Sequence, residues 1–106
     1  MEYEAEILSL RGGFLQYDKT RDSFRYLGYP LPLTRTEGRI LARLMERHEE
    51  YCSAEALCGD ILEQSADPEG LVRAHVSHIN KKAFSIGERQ LIECRKNIGY
   101  KISFSL

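Results

Sequence analysis

Tryptophan is absent from this 106-residue chain, and cysteine and proline occur only three times each. Three cysteines (Cys52, Cys58 and Cys94) are an odd set with no CxxC spacing, which excludes a disulfide scaffold and the common zinc fingers. The expectation is free, reduced thiols; His48 with Cys52 and Cys58 is the one conceivable zinc set, and its spacing fits no common finger. No apolar run approaches the roughly 20 residues that span a bilayer, and the opening "MEYEAEILSL" is acidic, with no charged segment before an apolar one. No membrane partner is therefore expected, and the expected location is cytoplasmic. Also missing are a GxSxG turn, a phosphate loop and a paired-carboxylate constellation, so neither an enzyme nor a cofactor is expected.

What is present is charge, unevenly placed. Residues 1–69 hold 8 Lys/Arg against 14 Asp/Glu, whereas residues 70–106 hold 7 against 2, so a net charge of −1 conceals halves of −6 and +5. A basic half points to a polyanionic partner, or equally to a solvated face.

The length fits one domain with a single core. Residues 1–33 read as a small sheet. "EAEILSL" and "GGFLQYD" are short apolar runs joined through Arg11-Gly12-Gly13, and "SFRYLGY" is a third β-prone run. Pro30 and Pro32 leave room only for a short edge segment. Three or four antiparallel strands are expected.

Residues 34–84 read as three helices. Thr34-Arg35-Thr36-Glu37 is a capping box, and Ile40, Leu41, Leu44 and Met45 follow at helical spacing. Ser53 caps "AEALCGDIL", with Leu57, Ile61 and Leu62 facing inward. "EQSADPEG" interrupts the chain, and Pro68 sits well in the first turn of a helix over about 68–84. There Val72, Val76, Ile79 and Ala83 form the buried stripe, while Arg73, Ser77, His78 and Lys81 point away from it. His75 and His78 stand at the i,i+3 spacing that can suit a metal; they read instead as a packing and a surface histidine, and no metal site is expected. Two strands, near 90–94 and 98–104, are joined by the basic Arg95-Lys96-Asn97. The whole reads as α+β: a helix-turn-helix with a hairpin wing over about 88–106.

At this point the sequence resembles a known family. "LPLTRTEGRILARLMERHEEYCSAEALCGDI", "LVRAHVSHINKKA" and "LIECRKNIGYKI" are similar to the winged-helix output domain of OmpR/PhoB-type response regulators. Leu33, Thr34, Glu37, Leu41 and Leu44 match its first block, Ser53 and Leu57 its second, Val72, His75, Val76, Ile79 and Lys81 its third, and Ile98-Gly99-Tyr100 its wing. The resemblance implies a transcriptional regulator of a two-component system, with its third helix in the major groove of double-stranded DNA and the wing at 90–103 on the adjacent backbone or minor groove. It implies a receiver domain upstream or in trans. It also implies that the isolated domain is monomeric and pairs on DNA.

The arginines common in that family's recognition helix are replaced here. Gly70 stands where one usually opens the helix, and Ser77, His78 and Asn80 stand where later ones fall. Cys94 takes the place of the wing threonine, Leu62 that of a tryptophan, and Gly38 that of an aromatic. The resemblance thus assigns DNA contacts to Arg73, Ser77, His78, Asn80, Lys81, Lys82, Arg95, Lys96 and Tyr100, with phosphates held by the cations and Tyr100 and base edges met by Ser77, His78 and Asn80. For Glu63, Asp67 and Glu69, in the loop before the third helix, it leaves two readings, a contact with RNA polymerase or a solvated linker. The alternative function is a winged-helix protein-interaction module with weak or no DNA binding, which a basic face broken by Glu88 and Glu93 favours.

Overall fold

The computed structural model describes residues 7–10, 13–61 and 66–103, with the side chains of residues 60 and 61 outside the description. Four short strands come first: β1 (Ile7–Leu10), β2 (Leu15–Asp18), β3 (Ser23–Tyr26) and β4 (Tyr29–Leu31). They form an antiparallel meander in the order β1-β2-β3-β4, so Pro30 does lie on an edge strand. The Arg11-Gly12-Gly13 turn lies partly outside the described residues; Gly13 itself has a positive φ of 101°. Leu10, Leu15, Phe24, Tyr26 and Leu31 deliver the sheet's buried face to the core.

Helix α1 (Arg35–Glu46) begins with the expected capping box, in which the Glu37 amide donates to Thr34 Oγ1 at 3.2 Å and the Thr34 amide donates to Glu37 Oε1 at 3.0 Å. Ile40, Leu41, Leu44 and Met45 are fully buried, as their spacing requires. Gly38 stands where the family has an aromatic. A Cβ there would meet Phe24 Cε2 at 3.1 Å, so the ring that the helix lacks arrives from β3.

Ser53 caps α2 (Ala54–Ile61) by accepting the Ala56 amide at 3.1 Å, and Leu57 is buried. The inward placement expected of Ile61 and Leu62 falls outside the described side chains. Helix α3 spans Pro68–Gly87, three residues longer than expected, because nothing after Phe84 breaks it until Glu88 turns left-handed with φ 56°. Pro68 opens it, and Asp67 is its N-cap.

The wing is the hairpin β5 (Ile92–Arg95) and β6 (Gly99–Ile102); β5 begins two residues and β6 one residue later than expected, and residue 104, where the second was to end, lies outside the described residues. Its turn is Lys96-Asn97-Ile98, with Asn97 left-handed at φ 63°. Cys52 bridges to Tyr100 through two backbone hydrogen bonds of 2.8 Å, which ties the segment before α2 to the wing. Gly99 makes that approach possible: its φ of 146° is poorly open to other residues, and a Cβ would strike the Cys52 carbonyl. Val72, Val76, Ile79 and Ala83 join Leu91, Ile92, Tyr100 and Ile102 in one core cluster with the helices and sheet.

Candidate nucleic-acid interface

Helical periodicity buries Val72, Val76, Ile79 and Ala83 of α3 and turns Arg73, Ala74, Ser77, His78 and Lys81 outward as one exposed arc. The wing stands beside this arc. Between them lies an open cleft of about 600 Å³, lined by Arg73, Ser77 and Lys81 from the helix and by Cys94 and Tyr100 from the wing. The cleft places the helix cations and the hairpin in one continuous surface.

Six of the nine residues expected to meet DNA are exposed: Arg73, Ser77, His78 and Lys81 on α3, and Arg95 and Lys96 on the wing. Arg73 is held by Glu69, one turn earlier, at 3.5 Å, an exposed pair that a stronger anion can displace. Arg95 lies over the Tyr51 ring at 6.0 Å. Strand alternation puts Arg95 with Glu93 and Lys101 on the side of the hairpin opposite Cys94 and Tyr100. Lys96 is at the tip.

The other three have different occupations. Asn80 is engaged by the wing backbone. Its Oδ1 accepts the amides of Leu91 and Ile92 at 3.1 and 2.8 Å, and its Nδ2 donates to the Ile92 carbonyl at 3.0 Å, so the amide fastens the helix to β5. Lys82 is not free for phosphate, because its Nζ meets Glu37 Oε1 at 2.6 Å. Tyr100 is buried, being 2% exposed, which removes its hydroxyl from any phosphate outside. That hydroxyl makes no well-formed hydrogen bond, and the Cys94 thiol is its polar neighbour. Burial above all pushes the phenol up from its ordinary value of 10.0.

Glu37 is the charged residue that sequence reasoning placed only as a cap. It is 3% exposed, and Lys82 and His78 of α3 both converge on it, His78 Nδ1 at 3.7 Å from Oε2. Burial works to raise its carboxyl, but the Lys82 and Thr34 hydrogen bonds and the nearby His78 hold it below the ordinary 4.5. The exposed Phe84 was also missed, since an aromatic late in an amphipathic helix reads as core.

The acidic loop is partly committed. Asp67 Oδ1 accepts the Gly70 amide at 3.1 Å, capping α3, and Glu69 pairs with Arg73; Glu63 lies outside the described residues. Of the two acids that were to interrupt the basic face, Glu93 accepts the Tyr51 hydroxyl at 2.9 Å with Lys101 at 3.8 Å, and Glu88 is the C-cap of α3. Cys52 and Cys58 are buried and outside any disulfide, and His48 does not form a metal-ligating group with them among the described residues.

Comparison with known proteins places this architecture. Residues 28–102 match the family described as "Transcriptional regulatory protein, C terminal". No curated protein is similar enough in sequence to match the chain. Among solved structures, it is similar to the DNA-binding domain of the response regulator AdeR, determined in complex with an intercistronic region, with TM-score 0.76 and 22% identity over 84% of this chain and 92% of that one. It is similar to the Klebsiella pneumoniae RstA DNA-binding domain in complex with the RstA box, with TM-score 0.73 and 19% identity over 86% and 92%. A redox sensor of the streptococci that evolved from two-component response regulators gives TM-score 0.78 and 19% identity over 99% of this chain. This chain spans 44% of that protein's length. With the four-stranded sheet, three helices and wing in their family order, the chain belongs to the transcriptional regulatory protein C-terminal family, the OmpR/PhoB-type class of DNA-binding output domains, which is not a family of enzymes.

Proposed function

We propose that this domain binds double-stranded DNA with α3 in the major groove and the wing against the neighbouring backbone or minor groove. The observation that carries the reading is the exposed arc of Arg73, Ser77, His78 and Lys81, joined by one cleft to a wing whose tip is Lys96. In this reading Arg73, Lys81, Arg95 and Lys96 hold phosphates, while Ser77 and His78 meet base edges. Ala74, exposed between them, offers an apolar contact of the kind a thymine methyl accepts. Asn80, Lys82 and Tyr100 support that surface from behind.

With few arginines on the face, affinity rests chiefly on phosphate neutralisation. Neutralising roughly 3–5 phosphates gives a log K against log salt slope of about −3 to −5. Fluorescence anisotropy with random and promoter duplexes at several salt concentrations tests it. Absence of binding even at about 20 mM salt overturns the reading and favours a protein-interaction module.

The wider partners belong to the same proposal. A receiver domain, upstream or in trans, supplies the signal, two domains pair on adjacent half-sites in the cytoplasm, and the segment carrying Glu63, Asp67 and Glu69 contacts RNA polymerase. Asp67 keeps its cap in that role, so Glu69 and Glu63 are the acids to replace. Their alanine variants are expected to bind promoter DNA at least as well as the parent but to activate transcription less.

A further inference from the structure

Behind the exposed arc, at the seam of α1 and α3, three side chains of metal-ligating type meet. Glu37, His75 and His78 each bring one ligand atom within 4.8 Å of the other two. The helices make this possible independently of one another. His75 and His78 stand one turn apart on α3, ring centroids 6.5 Å apart, and Glu37 is fixed in the first turn of α1 by its capping box.

The three groups are unequally satisfied. Glu37 Oε1 receives the Thr34 amide and Lys82 Nζ, whereas Oε2 faces His78 Nδ1 at 3.7 Å, beyond hydrogen-bond length. His75 Nδ1 is buried and has no hydrogen-bond partner. The buried His75 nitrogen, without a partner beside a carboxylate oxygen held only by a long ion pair, leaves coordination capacity unused.

We propose that Glu37, His75 and His78 form a zinc site. Two imidazoles and one carboxylate are a ligand set that zinc accepts, with the fourth position open to water on the His78 side. Zinc bonds of about 2.0–2.2 Å at tetrahedral angles put ligand atoms roughly 3.3–3.6 Å apart. His78 Nδ1 already stands 3.7 Å from Glu37 Oε2, and no pair among the three exceeds 4.8 Å, so the set closes by ~1.5 Å at most. Lys82 stays on Oε1 and orients the carboxylate, as a hydrogen-bonding neighbour of a ligating group does. Its positive charge opposes the ion, which sets the site apart from the near-irreversible structural zinc sites and makes occupancy respond to zinc concentration.

His78 belongs to the surface proposed for DNA, so occupancy withdraws its ring from base contact and adds positive charge there; this coupling rests on the DNA reading, whereas the site does not. The test uses the intact chain carrying Cys94→Ser, which removes the exposed thiol, and titrates zinc calorimetrically and cobalt(II) by visible absorption, without DNA. One ion per chain is expected, with the cobalt band of a nitrogen–oxygen set. His78→Ala, a surface change checked for folding by circular dichroism, is expected to weaken binding by at least the roughly 10–100-fold that loss of an orienting neighbour costs. His75→Gln is expected to do the same. No binding, or binding that His78→Ala and His75→Gln leave unaltered, overturns the site. Because no DNA is present, that failure leaves the DNA reading standing. A DNA titration of the parent chain with and without zinc then reads the coupling: a changed sequence preference that vanishes in His78→Ala supports it, and identical isotherms overturn it.

Discussion

The side-chain amide of Asn80 pairs with the backbone of Ile92 as a neighbouring strand would, accepting its amide at 2.8 Å and donating to its carbonyl at 3.0 Å. A residue of α3 thereby supplies the wing with an edge. Asn80→Ala removes those bonds and the one to Leu91, leaving buried backbone groups of Leu91 and Ile92 without partners. At about 0.5–1.5 kcal/mol per bond, and more where a group is orphaned, the loss is expected to be roughly 2–4 kcal/mol. Urea denaturation measures it, and a midpoint equal to that of the parent would show the clamp to be dispensable.

Lys82 and Lys81 are adjacent in sequence and opposite in expected behaviour. Lys81→Ala and Lys96→Ala are each expected to lower the salt slope of DNA binding by about one unit, with the loss shared across sequences. Lys82→Ala is expected to leave the slope unchanged and to reduce stability, because it strands Glu37. Equal slope changes for Lys81 and Lys82 would contradict the division.

Glu37 gives stability a pH dependence of definite sign. Its carboxyl is held below the ordinary 4.5 in the folded chain, so its contribution is present above that value and is lost as pH falls through the depressed one. The parent is expected to lose stability more steeply than Glu37→Gln between about pH 5 and pH 3, and Glu37→Gln to be the less stable at neutral pH. Parallel urea midpoints across that range would remove Glu37 from the account.

Ile79 is fully buried in the cluster that joins α3 to the rest of the core. Ile79→Ala is expected to cost roughly 2–5 kcal/mol, according to how far the cavity collapses. An unchanged thermal melt would mean that the helix is phased differently.

Gly99→Ala probes the wing's other attachment. The new methyl meets the Cys52 carbonyl at a φ few side chains adopt, so the Cys52–Tyr100 bridge is expected to open at a cost of about 1–3 kcal/mol. Hydrogen exchange at the Tyr100 amide reads it directly: faster exchange is expected, and unaltered protection speaks against the strain.

The elements were legible in the sequence because their signals are local. Thr34 and Glu37 lie three residues apart in one capping box, and the α3 stripe repeats within single turns. The occupations of Asn80, Lys82 and Tyr100 were not legible, since each is decided by a partner 11–45 residues away in sequence or by burial that a lone aromatic does not announce. Polar residues on a basic helix look alike until the fold shows which have been spent. Six of the nine expected contact residues are exposed, which the helical phase and the turn at Asn97 did indicate.

Helix α3 is anchored at several points: by the Asp67 cap at its start, by Glu37 and Ile92 through Lys82 and Asn80, and by Tyr26 of β3 beside Gly87 at its end. A 20-residue helix is about 30 Å long, and attachments at several stations along that span are expected to make it stiff. The mechanical compliance of a complex with DNA then falls to the duplex, whose bending and groove width depend on its sequence. If the domain docks on DNA as proposed, selectivity at base pairs it never touches is expected to follow, because an inflexible reader makes stiff DNA an ill-fitting partner and pliable DNA a good one.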